Sequence, residues 1–414
     1  MRILLAIHNA YTDTTSGAAQ SVRTLMQWLA DGGHDCRAIG TFRFDGNPQV
    51  SVDAHLAELG VPIRRLPPPK AFARTIANKP SNMTVARPTV DFTLNGVHVT
   101  TILTRAAAGT AADRVEAHQL LFTAEQVFEE FRPDILLTYG GHPVVQELLR
   151  RARERRIRCV FTLRNVGYED RRFFAHVDHV LTTCPYLSDV YRRAIGLRST
   201  GIDSPIEWAD VEAPCDLRRF VTFVNPSRAK GALLFARLAD MLGSRRPDIP
   251  ILVVQSATGA ASLNEIKGLD FKKYPHIMAA PATRRPSDFF ALTRILLVPT
   301  VVNESFGRVA AEALINGIPP LVSDRGGMPQ TIAGAGRVLA LPPSLTVAST
   351  EPPTEAEVQP WYDTVCALWD DPVLYAEESR KARAIAESRF AESVMRRRYE
   401  EYFTSLSDRE PLFD

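Results

Sequence analysis

The chain has 414 residues, of which 45% are hydrophobic and 23% charged, and its formal net charge is +2 at pH 7. This length predicts two domains of ordinary size, and the composition is that of a globular protein. The near-neutral charge gives no indication of a polyanionic partner such as nucleic acid. The five cysteines are scattered without a CxxC pair, which argues against a disulfide framework or a zinc site and favours reduced thiols.

The N-terminal half begins with a short apolar strand over residues 3–7. This run is too short for the hydrophobic region of a signal peptide or for a membrane span, so we expect a cytoplasmic protein. A turn-rich loop follows, and a helical pattern then runs from Ala18 to Gly32. Gly17 therefore lies at a helix N-terminus, where a phosphate or a sugar oxygen could bind, although an ordinary βα turn would look the same.

Two further strand ends in this half carry polar side chains. The strand from Asp134 to Thr138 leads into Gly140-Gly141-His142, which places His142 either in a substrate site or in a plain loop. The strand from Arg158 to Leu163 ends at Arg164. An arginine cannot act as a base at neutral pH, but it can hydrogen-bond sugar hydroxyls or a phosphate.

Residues 147–158 hold six arginines, all between 150 and 158. They could give weak peripheral contact with the inner face of an anionic membrane. The run is short and its apolar face is thin, which favours a solvated helix face.

The second half follows a proline-bearing, acidic segment over 202–214 that we read as the crossing between domains. A strand from Phe220 to Val224 leads into a βα turn that contains Arg228, Lys230 and Gly231. Two cations and a glycine at such a turn predict a phosphate site.

A helix predicted from Asp288 to Thr293 leads to the stretch around which the second half is organised. After the apolar strand 295–298 come Glu304, the turn Ser305-Phe306-Gly307 and a helix that carries Glu312. We expect Ser305 to cap this helix and the N–H groups of Phe306 and Gly307 to face an anion. Glu312 should lie about two turns into the helix, about 10 Å from Glu304, which suits two ends of one extended ligand.

This stretch resembles the EX7E signature of family 4 glycosyltransferases. The resemblance rests on Glu304 and Glu312 with Ser305-Phe306-Gly307 between them, followed by Gly317-Ile318-Pro319 and by Asp324-Arg325-Gly326-Gly327-Met328-Pro329. It implies an α/β protein of GT-B architecture, with two Rossmann-like domains facing each other across a cleft and a C-terminal helix crossing back to the N-terminal domain. The ranges we assign are 1–205 for the acceptor domain, 206–385 for the nucleotide-sugar donor domain and 386–414 for the returning helix.

The resemblance also implies a reaction. A retaining enzyme of this kind moves a hexose-type sugar from a nucleoside diphosphate sugar, with UDP- or GDP-sugars favoured, to a hydroxyl of a small molecule, a glycan or a lipid-linked sugar. Glu304 would contact the donor sugar and Glu312 the ribose, while Lys230 and Arg228 would clamp the diphosphate and Gly17 would border it. Relatives place a base-binding loop near residues 282–284, and their acceptor-facing insertions fall between 46 and 109.

Two positions depart from the family pattern. Asn225 and Pro226 stand where an arginine usually contacts the diphosphate, and Arg164 stands where a histidine usually contacts the donor sugar. Either His142 or Arg164 could therefore position the sugar. There is no DxD triplet and no metal-ligand spacing, so we expect the leaving phosphate to be neutralised without a required metal or cofactor.

Other classes stay open. A sugar-nucleotide epimerase or a phosphorylase could share the architecture, although the epimerase would need His and Glu catalysts that we cannot place, and the phosphorylase a pyridoxal-bearing lysine. A non-catalytic sugar-nucleotide-binding subunit is also compatible with the sequence, and Arg164 is the residue that keeps this alternative open.

Overall fold

The structure, a computed structural model, describes residues 1–14, 16–44, 51–76, 86–104, 114–255, 263, 266, 273–283, 285–406 and 411–413. Part of the expected acceptor-facing region 46–109 lies outside these residues, as does Arg284 of the expected base-binding loop. The chain divides into two compact units. The first unit comprises Met1–Pro205 together with Arg396–Asp414, and the second comprises Ile206–Met395.

The first unit is built on one largely parallel sheet. Its strands in chain order are β1 (Arg2–Ala6), β2 (Asp35–Thr41), β3 (Arg64–Leu66), β4 (Thr89–Leu94), β5 (Val97–Ile102), β6 (Ile135–Thr138), β7 (Arg158–Leu163), β8 (His179–Thr182) and β9 (Thr200–Gly201). Within the described residues their order is β3-β4-β5-β2-β1-β6-β7-β8-β9. All neighbours are parallel except β3 with β4 and β4 with β5. Polar loops thus follow β1, β6 and β7 at the same edge of the sheet.

Six helices of the first unit lie between its strands in the chain, and those between parallel strands form crossover connections. They are α1 (Gly17–Asp31), α2 (Val52–Glu58), α3 (Lys70–Ile76), α4 (Arg114–Phe131), α5 (Pro143–Glu154) and α6 (Pro185–Ile195). Ser16 caps α1, since its hydroxyl accepts from the Ala19 N–H. The apolar face of α1, which includes Val22, Leu25 and Leu29, is buried, so the expected helical pattern is present.

The second unit has a fully parallel sheet among its described residues. Its strands are β10 (Phe220–Val224), β11 (Ile251–Val254), β12 (Ile277–Ala280), β13 (Thr293–Val298), β14 (Pro320–Ser323) and β15 (Arg337–Leu339), in the order β12-β11-β10-β13-β14-β15. Alternate residues of β13 enter different cores: Leu297 packs in one cluster with Trp361, and Leu296 packs in the other with Ile318. Helices therefore cover both faces, which is why the strands read as continuous apolar runs.

The remaining helices are α7 (Trp208–Val211), α8 (Ala232–Arg245), α9 (Pro286–Phe290), α10 (Arg308–Ile315), α11 (Met328–Ile332), α12 (Glu355–Asp370), α13 (Pro372–Arg389) and α14 (Glu392–Ser405). One of these helices lies in the predicted crossing segment, and another was predicted at a different position. The predicted crossing segment contains the short helix α7, which Trp208 anchors by donating from Nε1 to the Phe390 carbonyl at 2.8 Å. The helix predicted from Asp288 to Thr293 was misplaced, because Thr293 already begins β13 and its hydroxyl bonds back to Phe289 at 2.7 Å.

The arginine-rich stretch forms α5 and the turn after it. Arg150 pairs with Glu147 and Glu154, and Arg155 pairs with Glu125 and Glu129 of α4. These carboxylates neutralise much of the local positive charge, as expected for a solvated helix face. Among the described helices, none has a stretch that is both long and apolar enough to cross a membrane.

Candidate functional site

In the second unit, two loops that follow adjacent strands meet through an ion pair. Lys230, in the turn after β10, donates from Nζ to Oε1 of Glu304, in the loop after β13. The Thr300 hydroxyl donates to the Ala229 carbonyl at 3.0 Å and fixes the same two loops together. Gly231 permits this approach, because a Cβ there would lie 2.0 Å from the Pro299 carbonyl oxygen. The structure thus brings the predicted phosphate-binding cation and the predicted sugar-binding carboxylate side by side.

A third loop holds the backbone of Glu304. The Gly327 N–H donates to the Glu304 carbonyl at 2.7 Å. Gly326 has a φ of +63°, and a Cβ on it would lie 2.2 Å from that same carbonyl oxygen. Gly326 is therefore required by the close packing of this loop against Glu304, and Gly327 holds Glu304 through its backbone N–H.

Helix α10 begins later than the sequence predicted. Gly307, at φ +78°, is the N-cap, and no side chain caps the helix, so the expected cap by Ser305 was wrong. Glycine adopts the left-handed conformation without strain, so Gly307 can occupy the N-cap position without a capping side chain. The Phe306 ring is 3% exposed and packs edge-on against Phe390, which leaves only its backbone for a ligand.

Glu312 is the fifth residue of α10, one turn into the helix rather than two. Its side chain is buried, and Oε1 accepts from Nε of Arg308 at 2.7 Å. Burial raises the pKa of Glu312, and the neighbouring Arg308 cation opposes that rise. Arg308 thus holds one carboxylate oxygen in place.

The other residues expected at the diphosphate are arranged differently. Arg228 donates from Nη1 to the Ser349 carbonyl, so its guanidinium is held by the loop before α12. Asn225 has a φ of +61°, and its buried Oδ1 accepts no hydrogen bond from the described residues. Lys230 is consequently the cation that the structure brings to Glu304.

In the first unit, a pocket of about 270 Å³ lies at the carboxyl ends of β1, β6 and β7. It contains two of the three residues predicted for a site in this half, His142 and Arg164. The full lining is His8, Asn9, Ala18, Tyr139, Gly140, Gly141, His142, Thr162, Arg164, Asn165 and Tyr168. Gly17, the first residue of α1, is exposed and adjoins the lining residue Ala18.

His142 is the N-cap of α5, and its Nδ1 accepts from the Val144 N–H at 3.1 Å. Burial, with a contribution from Arg43, lowers its pKa. A neutral imidazole whose Nδ1 accepts carries its proton on Nε2. His142 therefore offers a hydrogen-bond donor at Nε2 rather than a base.

His8 stacks on His142 with ring centroids 4.4 Å apart and an interplanar angle of 12°. Burial, together with the charges of His142 and Arg43, lowers the pKa of His8 from 6.5 to about 4. Both rings are thus neutral at neutral pH. His8 belongs to the loop that the sequence predicts after the first strand, and its position at the end of β1 is itself a signal for a site residue.

Arg164 lies over the Tyr139 ring, with its guanidinium carbon 5.5 Å from the ring centroid, and its Nε donates to the Thr162 hydroxyl at 3.4 Å. The segment after it is held by one phenol. The Tyr191 hydroxyl accepts from the Gly167 and Tyr168 N–H groups at 3.0 and 3.1 Å and donates to the Asn165 carbonyl at 2.8 Å. No sequence pattern joins Tyr191 to this loop.

A buried ion pair contains Arg43, whose charge acts on both His8 and His142. Arg43 and Glu116 are 6% and 0% exposed, and both Nε and Nη2 of Arg43 donate to one Glu116 carboxylate oxygen. The two residues are far apart in sequence, so the pair could not be predicted. Within the part of the chain that the structure describes, no cluster of side chains could hold a metal ion.

Solved structures of glycosyltransferases share the fold over nearly the full chain. Sucrose-phosphate synthase from Thermosynechococcus elongatus is 15% identical over 98% of both chains, with a TM-score of 0.66. HepE from Anabaena, solved with UDP-glucose, is 14% identical over 98% of this chain and 100% of its own, with a TM-score of 0.63. The catalytic domain of starch synthase IV from Arabidopsis thaliana, solved with ADP and acarbose, is 13% identical over 97% of this chain and 98% of its own, with a TM-score of 0.68.

These similarities show the fold, and they confirm the expected GT-B architecture built from two Rossmann-like domains. No protein-family model and no curated protein sequence matches the chain.

Proposed function

We propose that the protein is a retaining glycosyltransferase that moves a hexose-type sugar from a nucleoside diphosphate sugar to an acceptor hydroxyl. The observation that carries the proposal is the contact between Lys230 and Glu304 at the N-terminus of α10. A cation for the diphosphate and a carboxylate for sugar hydroxyls lie in one place, and the EX7E resemblance implies these two roles for Lys230 and Glu304.

The ribose would bind at Glu312. Arg308 orients one oxygen of this carboxylate, and the other can accept from a hydroxyl. Glu312 lies one helical turn after the first residue of α10. An extended donor with its sugar at Glu304 would therefore reach Glu312 with its ribose. Ser305, Phe306 and Gly307 would contribute backbone groups between these ends.

The leaving diphosphate would be stabilised by Lys230 and by N–H groups at the start of α10. We propose that no metal ion is required. Arg228 can join Lys230 only if it releases the Ser349 carbonyl, so we assign it a secondary role. In the first unit, Gly17, His142 and Arg164 would position the sugar or the acceptor.

We assign residues 1–205 to acceptor binding, 206–385 to donor binding and 386–414 to the returning helix, in a cytoplasmic protein with a UDP- or GDP-sugar as the favoured donor. We propose as acceptor a small molecule, a glycan or a lipid-linked sugar, as the family resemblance implies. We do not extend the proposal to a membrane surface, because Arg150, Arg151 and Arg155 are all paired with carboxylates.

The direct test is turnover. The chain is incubated with UDP-, GDP-, ADP- and dTDP-sugars and a mixture of acceptors, and nucleotide release and the anomeric configuration of the product are measured by NMR. We expect one donor to be consumed with retention of configuration. An inverted product would refute the retaining mechanism, and an epimerised donor would identify an epimerase. Tight donor binding without turnover would identify a non-catalytic sugar-nucleotide-binding subunit, the second function that Arg164 supports.

A further inference from the structure

The ion pair of the candidate donor site joins two loops whose spacing is set by their backbones. The Ala229 carbonyl, in the turn after β10, accepts from the Thr300 hydroxyl and from the Val301 N–H, both at 3.0 Å. These two hydrogen bonds tie that turn to the loop after β13. Lys230 and Glu304, one on each loop, are therefore brought together by the fold and not by a chance meeting of two mobile side chains.

The two partners of the ion pair differ in their freedom to move. The Glu304 N–H donates to the Val302 carbonyl at 2.9 Å, and the Glu304 carbonyl accepts from the Gly327 N–H at 2.7 Å. The Glu304 side chain is 19% exposed, whereas that of Lys230 is 37% exposed and carries its ammonium on a flexible four-carbon stem. When a second anion enters the site, Lys230 can turn to it, while the Glu304 carboxylate stays in place.

A nucleoside diphosphate that binds at Lys230 therefore meets a carboxylate as well as a cation. The terminal phosphate of a free diphosphate carries about two negative charges at neutral pH. In a nucleotide sugar the same phosphate is esterified and carries one. Because like charges repel, the Glu304 carboxylate opposes the free diphosphate more strongly than it opposes the sugar-bearing donor.

The sugar of the donor also supplies the carboxylate with a new partner. Lys230 and the Thr300 hydroxyl both donate to Oε1 of Glu304. Among the residues that the structure describes, none donates to Oε2. A sugar hydroxyl can donate to this carboxylate and replace the cation that the diphosphate has taken. A free diphosphate brings no sugar and leaves the carboxylate uncompensated.

We propose that Glu304 makes the donor site select the sugar-bearing nucleotide over the free nucleoside diphosphate, by competing with the diphosphate for Lys230 and by repelling its terminal phosphate. The inference rests on the proposed function and deepens it, since the free diphosphate is the product that must leave after transfer. Once the sugar has gone, Lys230 returns to Glu304 and the diphosphate loses its cation.

Binding to the full chain tests the proposal with three ligands. They are the free diphosphate, its methyl ester on the terminal phosphate, which removes the extra charge, and its glucose conjugate, which removes that charge and adds sugar hydroxyls. UDP, GDP, ADP and dTDP are titrated first by isothermal titration calorimetry, and the three ligands are then built on a nucleoside that binds.

Two variants, Glu304→Gln and Glu304→Ala, remove the carboxylate, so that the test does not depend on the folding of one of them. The matched control is Glu387→Gln, which removes one negative charge from an exposed ion pair with Arg383 in the same unit. Thermal melting verifies that each variant is folded.

In both Glu304 variants the free diphosphate should bind about fivefold more tightly than in the wild type, the factor expected for an ion pair at a partly exposed site. The methyl ester should gain less than the free diphosphate. The glucose conjugate should bind about tenfold more weakly, because a hydrogen bond from a sugar hydroxyl to a charged group is lost. Glu387→Gln should leave all three affinities unchanged. A purely structural role of Glu304 would not move two affinities in opposite directions.

An unchanged or weaker affinity for the free diphosphate in the Glu304 variants would overturn the proposal, because Lys230 would then hold both anions together. An equal gain for the free diphosphate and its methyl ester would overturn it as well, since the extra charge would then play no part. Failure of all four nucleoside diphosphates to bind the wild type contradicts the transferase itself. Nucleotide binding without the expected gain contradicts only the selection by Glu304.

Discussion

Lys230 and Glu304 form an ion pair that joins the turn after β10 to the loop before α10. The side chains are 37% and 19% exposed, so the pair is open to solvent and its contribution to stability should be below about 1 kcal/mol. A contact of so little structural value at the ends of two parallel strands suggests that its members serve a ligand.

Lys230→Met should therefore fold normally but weaken binding of the nucleoside diphosphate by about 2 kcal/mol, because a charged hydrogen bond to phosphate is lost. Lys381→Met is the matched control, since Lys381 also pairs with a glutamate, Glu378, at 3.0 Å in the same unit. Calorimetric titration gives both affinities. If the two variants bind nucleotide equally well, Lys230 does not contact the diphosphate.

Gly326 tests how strictly the loop after β14 positions Glu304. Gly326→Ala adds left-handed strain of about 1–2 kcal/mol and also a clash with the Glu304 carbonyl oxygen. Gly334 has a φ of +89°, and a Cβ on it would meet no atom within 4 Å, so Gly334→Ala carries strain alone. Urea denaturation should show that Gly326→Ala loses at least about 2 kcal/mol more, and donor affinity should fall in that variant alone. Equal losses of stability in the two variants would mean that the loop accommodates the added methyl group without displacing Glu304.

Tyr191 should position the segment from Asn165 to Tyr168 in the first unit. Tyr191→Phe removes three hydrogen bonds and should cost about 2 kcal/mol in urea denaturation. It should also raise KM for the sugar that occupies the pocket while leaving nucleotide affinity unchanged. Tyr402→Phe is the control: the buried Tyr402 hydroxyl has no partner among the described residues, so its removal should not destabilise the protein. A stability loss in Tyr191→Phe with an unaltered KM would make Tyr191 purely structural.

His8 should make stability depend on pH. Its pKa falls from 6.5 in the unfolded chain to about 4 in the folded protein, so the folded state favours the neutral ring. The stabilisation is complete above pH 6.5 and is lost as the pH falls toward 4, because the unfolded state then binds more protons. His8→Asn should flatten the unfolding free energy over this interval. Identical pH profiles for wild type and His8→Asn would contradict the assignment.

Short apolar runs in the sequence made strands of the second unit predictable. The strand Phe220–Val224 coincides with its predicted range, because continuous apolar runs are typical of strands buried on both faces. Helix ends were less predictable. Ser305 has the residue type of a cap, but the left-handed conformation of Gly307 starts α10 instead.

The loops of the candidate site could be predicted because each follows a strand, whereas the partners of its side chains could not. The sequence indicated Lys230 and Glu304 separately, and only the fold places them in contact. Distant segments are joined by the ion pair of Arg43 with Glu116 and by the hydrogen bond from Tyr191 to the Asn165 carbonyl. Such contacts depend on tertiary packing, and no periodicity or spacing encodes them.

The central claim is that the second unit binds a nucleoside diphosphate sugar with Glu312 on the ribose. The most direct measurement is the thermal shift of wild type and Glu312→Ala with UDP-, GDP-, ADP- and dTDP-sugars, because a ligand of the native state raises stability by RT ln(1 + [L]/Kd). We predict that one nucleotide series raises the melting temperature of the wild type and that Glu312→Ala abolishes this shift while remaining folded. No shift with any donor, or the same shift in both proteins, would contradict the claim.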